Sequence, residues 1–316
     1  MLWRTDLNRC FVLQEDAPIF VSVIVPVWND SGRLQGCLGA LEEQTYPGHL
    51  YEVIVVNNDS AKTIEHVVMP YARARVVQEG RPGSYAARNT GVEHARGEVI
   101  AFTDSDCIPA HDWLERGVAH LTHQDGCAVI AGRVKIFPRS QQPNAVEQYE
   151  MLVALDQRKY VRNYKFGATA NLFTFREVFE QSGPFLAEVK SGGDLEWGRR
   201  VVGSGYRLDY ADNVRVFHPA RASLSQLYSK IVRLTGGLHD LKRLKGRTYL
   251  EFDRSLLLDF LPPVKAIART LREPRLRRKR DRMKVCAVLL FVRYVQAFEK
   301  LRLSFPKLWN RPTTAR

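Results

Sequence analysis

Cysteine is scarce in this chain of 316 residues, and the few cysteines are scattered along the sequence. No two are spaced as Cys-x-x-Cys, and their number is odd: Cys10, Cys37, Cys107, Cys127 and Cys286. This argues against a disulfide framework or a cysteine-based zinc site and favours a reducing, cytosolic compartment. Long apolar runs are also missing, since no stretch reaches the roughly 18 apolar residues of a transmembrane helix. The charged stretch 1–16 predicts no secretory signal.

Acidic residues are scarce only in the last third of the chain. The formal net charge is +13, and the 45% hydrophobic content excludes a largely disordered protein. Residues 221–316 hold 24 Lys and Arg against 7 Asp and Glu, whereas residues 1–220 hold 23 against 27. A near-neutral body with a basic tail predicts an anionic partner for the tail, such as membrane headgroups, nucleic acid or a pyrophosphate-bearing lipid.

Short apolar runs rich in β-branched residues alternate with helical patterns in the first third of the chain. Four runs predict buried strands, at 20–27, 51–56, 75–78 and 99–103. The helical patterns between them cover 31–44, 63–74 and 84–96. This alternation predicts an α/β fold with a mostly parallel, doubly wound sheet sandwiched by helices. Polar clusters follow three of the runs, at 28–30, 57–60 and 104–106, where such sheets bind ligands.

The pattern changes at about residue 127. Further strands are predicted at 128–137, 168–175, 206–210 and 214–218, with helices at 145–156, 176–182 and 194–203. The chain then becomes helical and basic, with a break at Pro262 and Pro263. We therefore predict an N-terminal extension at 1–19, an α/β domain at 20–220 with halves at 20–126 and 127–220, and a basic helical region at 221–316.

Two motifs have chemistry that suits a phosphate-bearing ligand. Asp104-Ser105-Asp106 follows a predicted strand, and Mg²⁺ or Mn²⁺ prefers carboxylate oxygens and shares its ligand shell with substrate phosphates. A solvated turn is the alternative interpretation of that motif. Gly83 precedes a predicted helix whose free N–H groups suit an anion. Arg88 and Asn89 on that helix would add a phosphate contact and a nucleoside contact, unless Arg88 is simply solvated.

Four segments in this order resemble the family-2 glycosyltransferases of the GT-A fold: 21–30, 51–60, 84–106 and 192–200. The resemblance covers about residues 20–220. It implies a GT-A-type, Rossmann-like sheet, a nucleotide-binding first half and an acceptor-binding second half. It also implies a nucleotide-diphosphate sugar as donor, with a UDP-sugar favoured, Mg²⁺ or Mn²⁺ as cofactor, and inversion at the anomeric carbon.

The resemblance assigns the nucleotide-sugar pocket to Pro26, Val27, Trp28, Asn57, Asn58, Asp59, Gly83, Arg88, Asn89, Asp104 and Ser105. The family commonly has an Asp at the place of Asn57 or Asn58. An amide both donates and accepts where a carboxylate only accepts, so uracil specificity is left open. The implied metal ligands are Asp104, Asp106 and His218, with Asp106 the preferred direct ligand; a structural histidine is the alternative for His218.

Asp194 falls where the family keeps its catalytic base, and Glu196 is the second choice. Inversion by direct displacement needs a carboxylate that removes the acceptor hydroxyl's proton. The implied acceptor contacts are Gly192, Gly193 and Trp197. A helix N-cap for Asp194 and a core anchor for Trp197 are the alternatives.

The basic tail combines cations with an apolar pattern. Residues 269–284 hold nine basic and two acidic residues, and an apolar stretch at 285–301 follows with helical spacing. Such a helix can lie in the headgroup layer of an anionic membrane, or it can pack on the catalytic domain. Lys230 and Arg233, one helical turn apart, could face a diphosphate or form a solvated face.

We therefore predict a transferase that moves one sugar onto a lipid-linked or glycan acceptor, in polysaccharide and cell-envelope synthesis, as a peripheral protein at the cytoplasmic membrane face. A processive synthase is disfavoured because its QxxRW motif and multiple spans are missing. A nucleotidyltransferase is disfavoured because no Gly-rich loop follows the first strand. The remaining alternatives are a non-catalytic protein and one that binds nucleic acid or another anionic surface through its tail; we expect no nucleic-acid partner, since the tail shows no such motif.

Overall fold

A computed structural model describes residues 18–58, 60, 63–123, 127–244 and 258–305. The extension predicted at 1–19 therefore lies almost wholly outside the described residues. The chain forms two compact units. The first combines the described parts of Met1–Lys135 with Leu155–Glu188 and Gly193–His218. The second combines Ile136–Ala154, Val189–Gly192 and the described parts of Pro219–Arg316. The domain bounds given by the sequence remain a prediction.

One sheet of eight strands runs through the structure, in the spatial order β3-β2-β1-β4-β7-β6-β8-β5. The strands are β1 Val21–Val27, β2 Tyr51–Asn58, β3 Ala74–Glu79, β4 Val99–Thr103, β5 Ile108–Pro109, β6 Cys127–Phe137, β7 Asn171–Phe175 and β8 Arg207–Pro219. β1 pairs in parallel with β2 and β4, and β2 with β3. The predicted α/β fold with a GT-A-type sheet is confirmed.

The other half of the sheet is antiparallel. β7 pairs antiparallel with both β4 and β6, and β5 pairs antiparallel with β8. Strands β1, β2 and β4 are buried along their whole length, which explains why they are continuous apolar runs in the sequence. The fold thus joins a parallel half, which carries the three polar clusters, to an antiparallel half.

The helices of the first unit are α1 Ser31–Glu42, α2 Glu65–Val68, α3 Ser84–Glu93, α4 Trp113–His123, α6 Gln157–Lys159, α7 Arg176–Ser182 and α8 Gly193–Gly203. Helix α3 packs on β1 and β2, as its small residues predict. Gly91 permits this approach, because a Cβ there would lie 2.4 Å from Ile24 Cγ2. The sheet and α3 are therefore held close together near the C-terminal end of α3.

Two predicted elements differ from the structure. The helix predicted at 63–74 is only the short α2, which ends at Val68 with Met69 as its C-cap. Pro70 follows and has no N–H that could continue the helix. The strands predicted at 206–210 and 214–218 form the single strand β8. Asp212, a typical turn residue, stays in the strand, where its carboxylate accepts from Arg133 at 3.1 Å and Arg158 at 3.0 Å.

The second unit is helical. Its helices are α5 Ala145–Val153, α9 Leu224–Leu244, α10 Val264–Leu271 and α11 Lys279–Ser304. A small core joins α5, α9 and α11 through Val146, Leu227, Ile231 and Val288, all at most 7% exposed. Val288 belongs to the stretch 285–301, and Phe291, Val292 and Val295 also pack against this core. This favours the packed alternative for these residues, and the place of the stretch in a headgroup layer stays a prediction.

Lys230 has a different environment from either one predicted. Its ammonium lies 2.7 Å from the Glu150 carboxylate, which also pairs with Arg221 at 2.9 Å. Burial lowers the pKa of Lys230. Lys230 therefore neutralises a buried carboxylate.

Over the ranges that the structure describes, no helix combines the length and the apolar character that a membrane crossing needs.

We expect Gly97→Ala to destabilise the protein. A Cβ at Gly97 would lie 2.4 Å from the Ser22 backbone nitrogen and 2.7 Å from the Phe20 carbonyl oxygen, and backbone atoms cannot move aside cheaply. Urea denaturation should show a free energy of unfolding that is lower by about 2 kcal/mol or more, as for other overpacked sites. Gly36→Ala, in α1 with nothing within 4 Å of its Cβ, is the control and should be neutral or stabilising. Equal stability of the two variants would contradict the packing described.

Candidate active site

The three polar clusters meet at one edge of the parallel half of the sheet. Val27, at the end of β1, pairs in register with Asn57, near the end of β2. The Arg33 guanidinium joins two of the clusters, lying 2.9 Å from Asp30 and 3.3 Å from Asp106. The structure therefore brings the clusters together, as expected for the carboxyl ends of adjacent parallel strands.

The two aspartates that follow β4 have different partners. The Asp104 carboxylate pairs with Arg88 at 2.5 Å, and the Arg88 side chain is only 5% exposed. The Asp106 carboxylate instead lies 3.5 Å from His218 Nε2. Ser105, between them, is buried. The sequence motif thus divides into one carboxylate that neutralises a buried arginine and one that faces a histidine.

Asp106 and His218 form a donor set that suits a divalent cation. Ligand atoms of Asp106, Cys107 and His218 lie within 4.8 Å of one another. Burial raises the pKa of Cys107 well above its usual value, and Mg²⁺ and Mn²⁺ prefer oxygen ligands to sulfur. Carboxylate oxygen and imidazole nitrogen together suit Mn²⁺. The residues present fit a cation at Asp106 and His218, whereas Asp104 as a ligand remains a prediction.

Asn58 shapes the loop before α3. Its amide nitrogen donates to the Arg81 carbonyl at 2.7 Å, and its amide oxygen accepts from the Gly83 N–H at 2.8 Å. Gly83 has φ +122°, a conformation that favours glycine. Asn58 therefore has a structural task, and Gly83 is required by the backbone of this loop.

Asn57 has a buried polar atom that is unpaired within the described residues. Its side chain is buried, yet its Oδ1 has no hydrogen-bond partner among the described residues. Buried polar groups are normally paired, so such an atom suits a ligand contact. At the end of β1, Val27 is buried, and Trp28, which follows the strand, is 53% exposed and offers its ring to solvent. Pro26 lies within β1, and Asp59 lies outside the described residues.

Asn89 holds the backbone together rather than facing solvent. Its amide nitrogen donates to the Phe185 carbonyl at 2.9 Å, and its oxygen accepts from the Phe185 N–H at 3.0 Å. The side chain is 7% exposed. Its predicted nucleoside contact finds no support in this geometry, because both ends of the amide are already bonded within the protein.

Asp194 lies at the start of α8 and is bonded to α3. Its Oδ1 accepts from the Tyr85 hydroxyl at 3.1 Å and from the Leu195 N–H at 2.9 Å. Burial raises the pKa of Asp194, and the charge of Arg88 and the bond from Tyr85 oppose that rise. A carboxylate with a raised pKa is better suited to accept a proton near neutral pH.

The other residues predicted near the acceptor have packing tasks. The Glu196 carboxylate pairs with Arg200 at 3.0 Å. Trp197 is 1% exposed and its ring nitrogen donates to the Gly183 carbonyl at 3.1 Å, which favours the core anchor over the predicted acceptor contact. The two glycines keep neighbours close, since a Cβ would meet Leu241 at Gly192 and the Tyr85 ring at Gly193, at 2.8 and 2.9 Å.

Sequence reasoning missed two residues of this site. Tyr85 bonds Asp194 and lies under the Arg88 guanidinium, 5.6 Å from ring centre to charge. Arg33 spans Asp30 and Asp106. Spacing offered a signal for both, because Tyr85 and Arg88 are three residues apart on one helix face, as are Asp30 and Arg33 at the start of α1.

Comparisons with known proteins agree on one family. The model of the family described as Glycosyl transferase family 2 matches residues 22–183. The Glycosyltransferase AglE of Haloferax volcanii is 36% identical over 251 residues, which cover 77% of this chain and 82% of that protein.

Two solved structures share the fold. The mannosyltransferase PcManGT from Pyrobaculum calidifontis, in complex with GDP-Man and Mn²⁺, has a TM-score of 0.60 at 20% identity, covering 94% of this chain and 89% of that one. Residues 1–349 of S. aureus TarS, in complex with UDP-GlcNAc, have a TM-score of 0.53 at 18% identity, covering 90% and 92%.

We expect Tyr85→Phe to raise the pKa of Asp194. The Tyr85 hydroxyl stays protonated, because burial raises its own pKa, and it stabilises the ionised carboxylate. Its loss should raise the Asp194 pKa further, because a hydrogen bond that stabilised the charged form is removed. A ¹³C NMR titration of the carboxyl, assigned with Asp194→Asn, measures this. Tyr51→Phe is the control, because the Tyr51 hydroxyl donates to the Leu41 carbonyl and not to Asp194. An unchanged pKa in Tyr85→Phe would show that the hydroxyl does not bind the carboxylate.

Proposed function

The chain belongs to glycosyltransferase family 2, and from this premise we propose that it moves a single sugar from a nucleotide-diphosphate sugar to a lipid-linked or glycan acceptor, with inversion. The proposal rests on the presence of two carboxylates, Asp194 and Asp106, whose surroundings differ. Asp194 is held by Tyr85 and is suited to accept a proton. Asp106 lies beside His218 at the edge of the sheet where the polar clusters meet.

The proposed reaction is a direct displacement at the anomeric carbon. The Asp194 carboxylate takes the proton of the acceptor hydroxyl while that oxygen forms the new bond to the anomeric carbon. The bond from that carbon to the diphosphate breaks, and the diphosphate leaves with the electron pair. A single displacement inverts the configuration at the anomeric carbon. The hydrogen bonds from Tyr85 and the Leu195 N–H orient the Asp194 carboxylate that takes the proton.

Asn57 is the proposed contact for the nucleobase. Its open amide oxygen can accept from a base, and its amide nitrogen can donate, so the residue is compatible with more than one nucleotide. The two structural neighbours hold GDP-Man in one case and UDP-GlcNAc in the other. A UDP-sugar remains the favoured donor on the family resemblance, and Trp28 and Asp59 are further proposed contacts of the nucleoside pocket.

Asp106 and His218 are the proposed ligands of Mn²⁺ or Mg²⁺. The neighbouring mannosyltransferase holds Mn²⁺ with its donor, which supports the assignment. A bound cation would neutralise the negative charge that grows on the departing diphosphate. Arg33, 3.3 Å from Asp106, would add a further positive charge on the same side of that carboxylate.

The proposed setting is the cytoplasmic face of a cell membrane, with a role in cell-envelope polysaccharide synthesis. Lipid-linked acceptors present their sugar or phosphate at that surface. The basic helical region supplies the attraction to anionic lipid that such a setting needs.

We expect Asp106→Ala to remove the metal-dependent part of donor binding. A nucleoside diphosphate with Mn²⁺ should raise the Tm of the parent protein further than the nucleotide alone, because ligands stabilise the state that they bind. In Asp106→Ala the two rises should be equal. Asp240→Ala, which changes an aspartate in α9, is the control and should behave like the parent. A full Mn²⁺-dependent rise in Asp106→Ala would place the cation elsewhere.

We expect Asp194→Asn to bind donor normally and to lose transfer. An amide cannot take the acceptor's proton, and general bases contribute about 10²–10⁴-fold to rate. Single-turnover measurements with a radiolabelled donor should show this loss in rate, with donor binding checked by the Tm rise. Glu196→Gln keeps its place beside Arg200 and should stay within a few-fold of the parent. Retained turnover in Asp194→Asn would reassign the base, and no turnover of any donor by the parent would favour a non-catalytic protein.

A further inference from the structure

Four large apolar side chains in α10 and in the residues just before it face solvent. Leu258 is 59% exposed, Leu261 58%, Val264 70% and Leu271 40%. Isolated exposed apolar residues are common on soluble proteins, whereas four within 14 residues of sequence suit an interaction surface. We define these four residues as the apolar strip.

The backbone that carries the strip is firmly held. Between Leu258 and Leu261, the Asp259 carboxylate pairs with Arg293 at 2.9 Å and with Lys300 at 2.5 Å. The Phe260 ring packs edge-on against Phe298, 5.2 Å between centroids. The Leu258 carbonyl also accepts from Arg293 at 2.8 Å. These contacts fix residues 258–260 to α11, and a fixed apolar surface loses little conformational entropy on docking.

A row of cations lies beside the strip on the same helix. Val264, Ala268 and Leu271 follow the i, i+4, i+7 spacing of one helix face. Lys265, Arg269 and Arg272 repeat that spacing one residue later, and all three are exposed. Helix α10 packs on α11. An apolar row with an adjoining cationic row is the arrangement of a helix that lies in a lipid–water interface.

Most of the surrounding cations have no carboxylate partner among the residues that the structure describes. Residues 265–284 contain ten Lys and Arg against two Asp and Glu. Only Arg275 among the ten pairs with a carboxylate of the described residues, namely Glu273. Anionic headgroups would supply the missing negative charge, each nearby cation adding about fivefold to partitioning.

From this geometry we infer that residues 258–272 form a docking surface for an anionic lipid bilayer, with the apolar strip among the headgroups and Lys265, Arg269 and Arg272 against lipid phosphates. Nucleic acid would use the cations and leave the leucines in water. A second copy of the chain would oppose the cations to themselves. The inference deepens the proposed membrane setting by naming its contact surface, and it does not depend on sugar transfer.

The test is vesicle flotation of the full chain without nucleotide or metal. Vesicles of phosphatidylcholine alone are compared with vesicles containing about 30 mol% phosphatidylglycerol. The apolar variant is Leu258→Ser/Leu261→Ser/Val264→Ser, and the charge variant is Lys265→Gln/Arg269→Gln/Arg272→Gln. The control is Met69→Ser, which changes an 82% exposed apolar residue of the first unit. Circular dichroism melts check that every variant folds like the parent.

We expect the parent and Met69→Ser to bind anionic vesicles at low salt. The charge variant should lose about 100-fold in partition coefficient, which is three cations at about fivefold each. The partition coefficient of the apolar variant should fall at least tenfold. In about 0.5 M salt, which screens the cations, the parent should stay bound through the apolar strip, whereas the apolar variant should no longer bind. Asp194→Asn should bind vesicles like the parent, which separates this result from the proposed chemistry.

Three results would overturn the inference. Equal vesicle binding by the parent and both variants would place the lipid contact elsewhere. Binding to a DNA duplex that depends on the cations, with no vesicle binding, would assign the surface to nucleic acid. A concentration-dependent dimer in light scattering, abolished in the apolar variant and with no vesicle binding, would show that a second copy covers the strip.

Discussion

A guanidinium that is almost wholly removed from water must be neutralised, and the candidate site is arranged around Arg88, which meets this requirement with Asp104. The same guanidinium lies over the ring of Tyr85, whose hydroxyl bonds Asp194. One buried charge thus ties the end of β4, the helix α3 and the start of α8 to each other. The carboxylate proposed as base is held in place by contacts that begin at the aspartate motif.

Much of this arrangement could be predicted from the sequence, because it depends on topology. Continuous apolar runs predict parallel strands buried on both faces, and parallel strands bring their carboxyl ends to one edge. That logic placed the clusters at 28–30, 57–60 and 104–106 together. It cannot tell which amide of Asn57 and Asn58 is already bonded, nor that Trp197 points into the core. Those outcomes depend on side-chain direction and on contacts between residues far apart in sequence.

The basic region shows the same limit. Apolar residues at helical spacing predict a buried face but not what buries it, so the stretch 285–301 fits a core helix and an interfacial helix equally well. In the structure Val288 packs against Leu227 and Ile231, whereas the four residues of the apolar strip, within 258–271, are exposed. Asp259, an acid within a basic region, is the residue that fixes that stretch to α11.

The central claim is that the Arg88–Asp104 pair holds the site together, and a double-mutant cycle in urea denaturation tests it most directly. Arg88→Met and Asp104→Asn each leave one charge without its partner, whereas the double variant removes both charges. We predict that the double variant is destabilised by at least about 2 kcal/mol less than the sum of the single variants. Losses that add to within about 0.5 kcal/mol would contradict the account, because they would show that the two residues act independently.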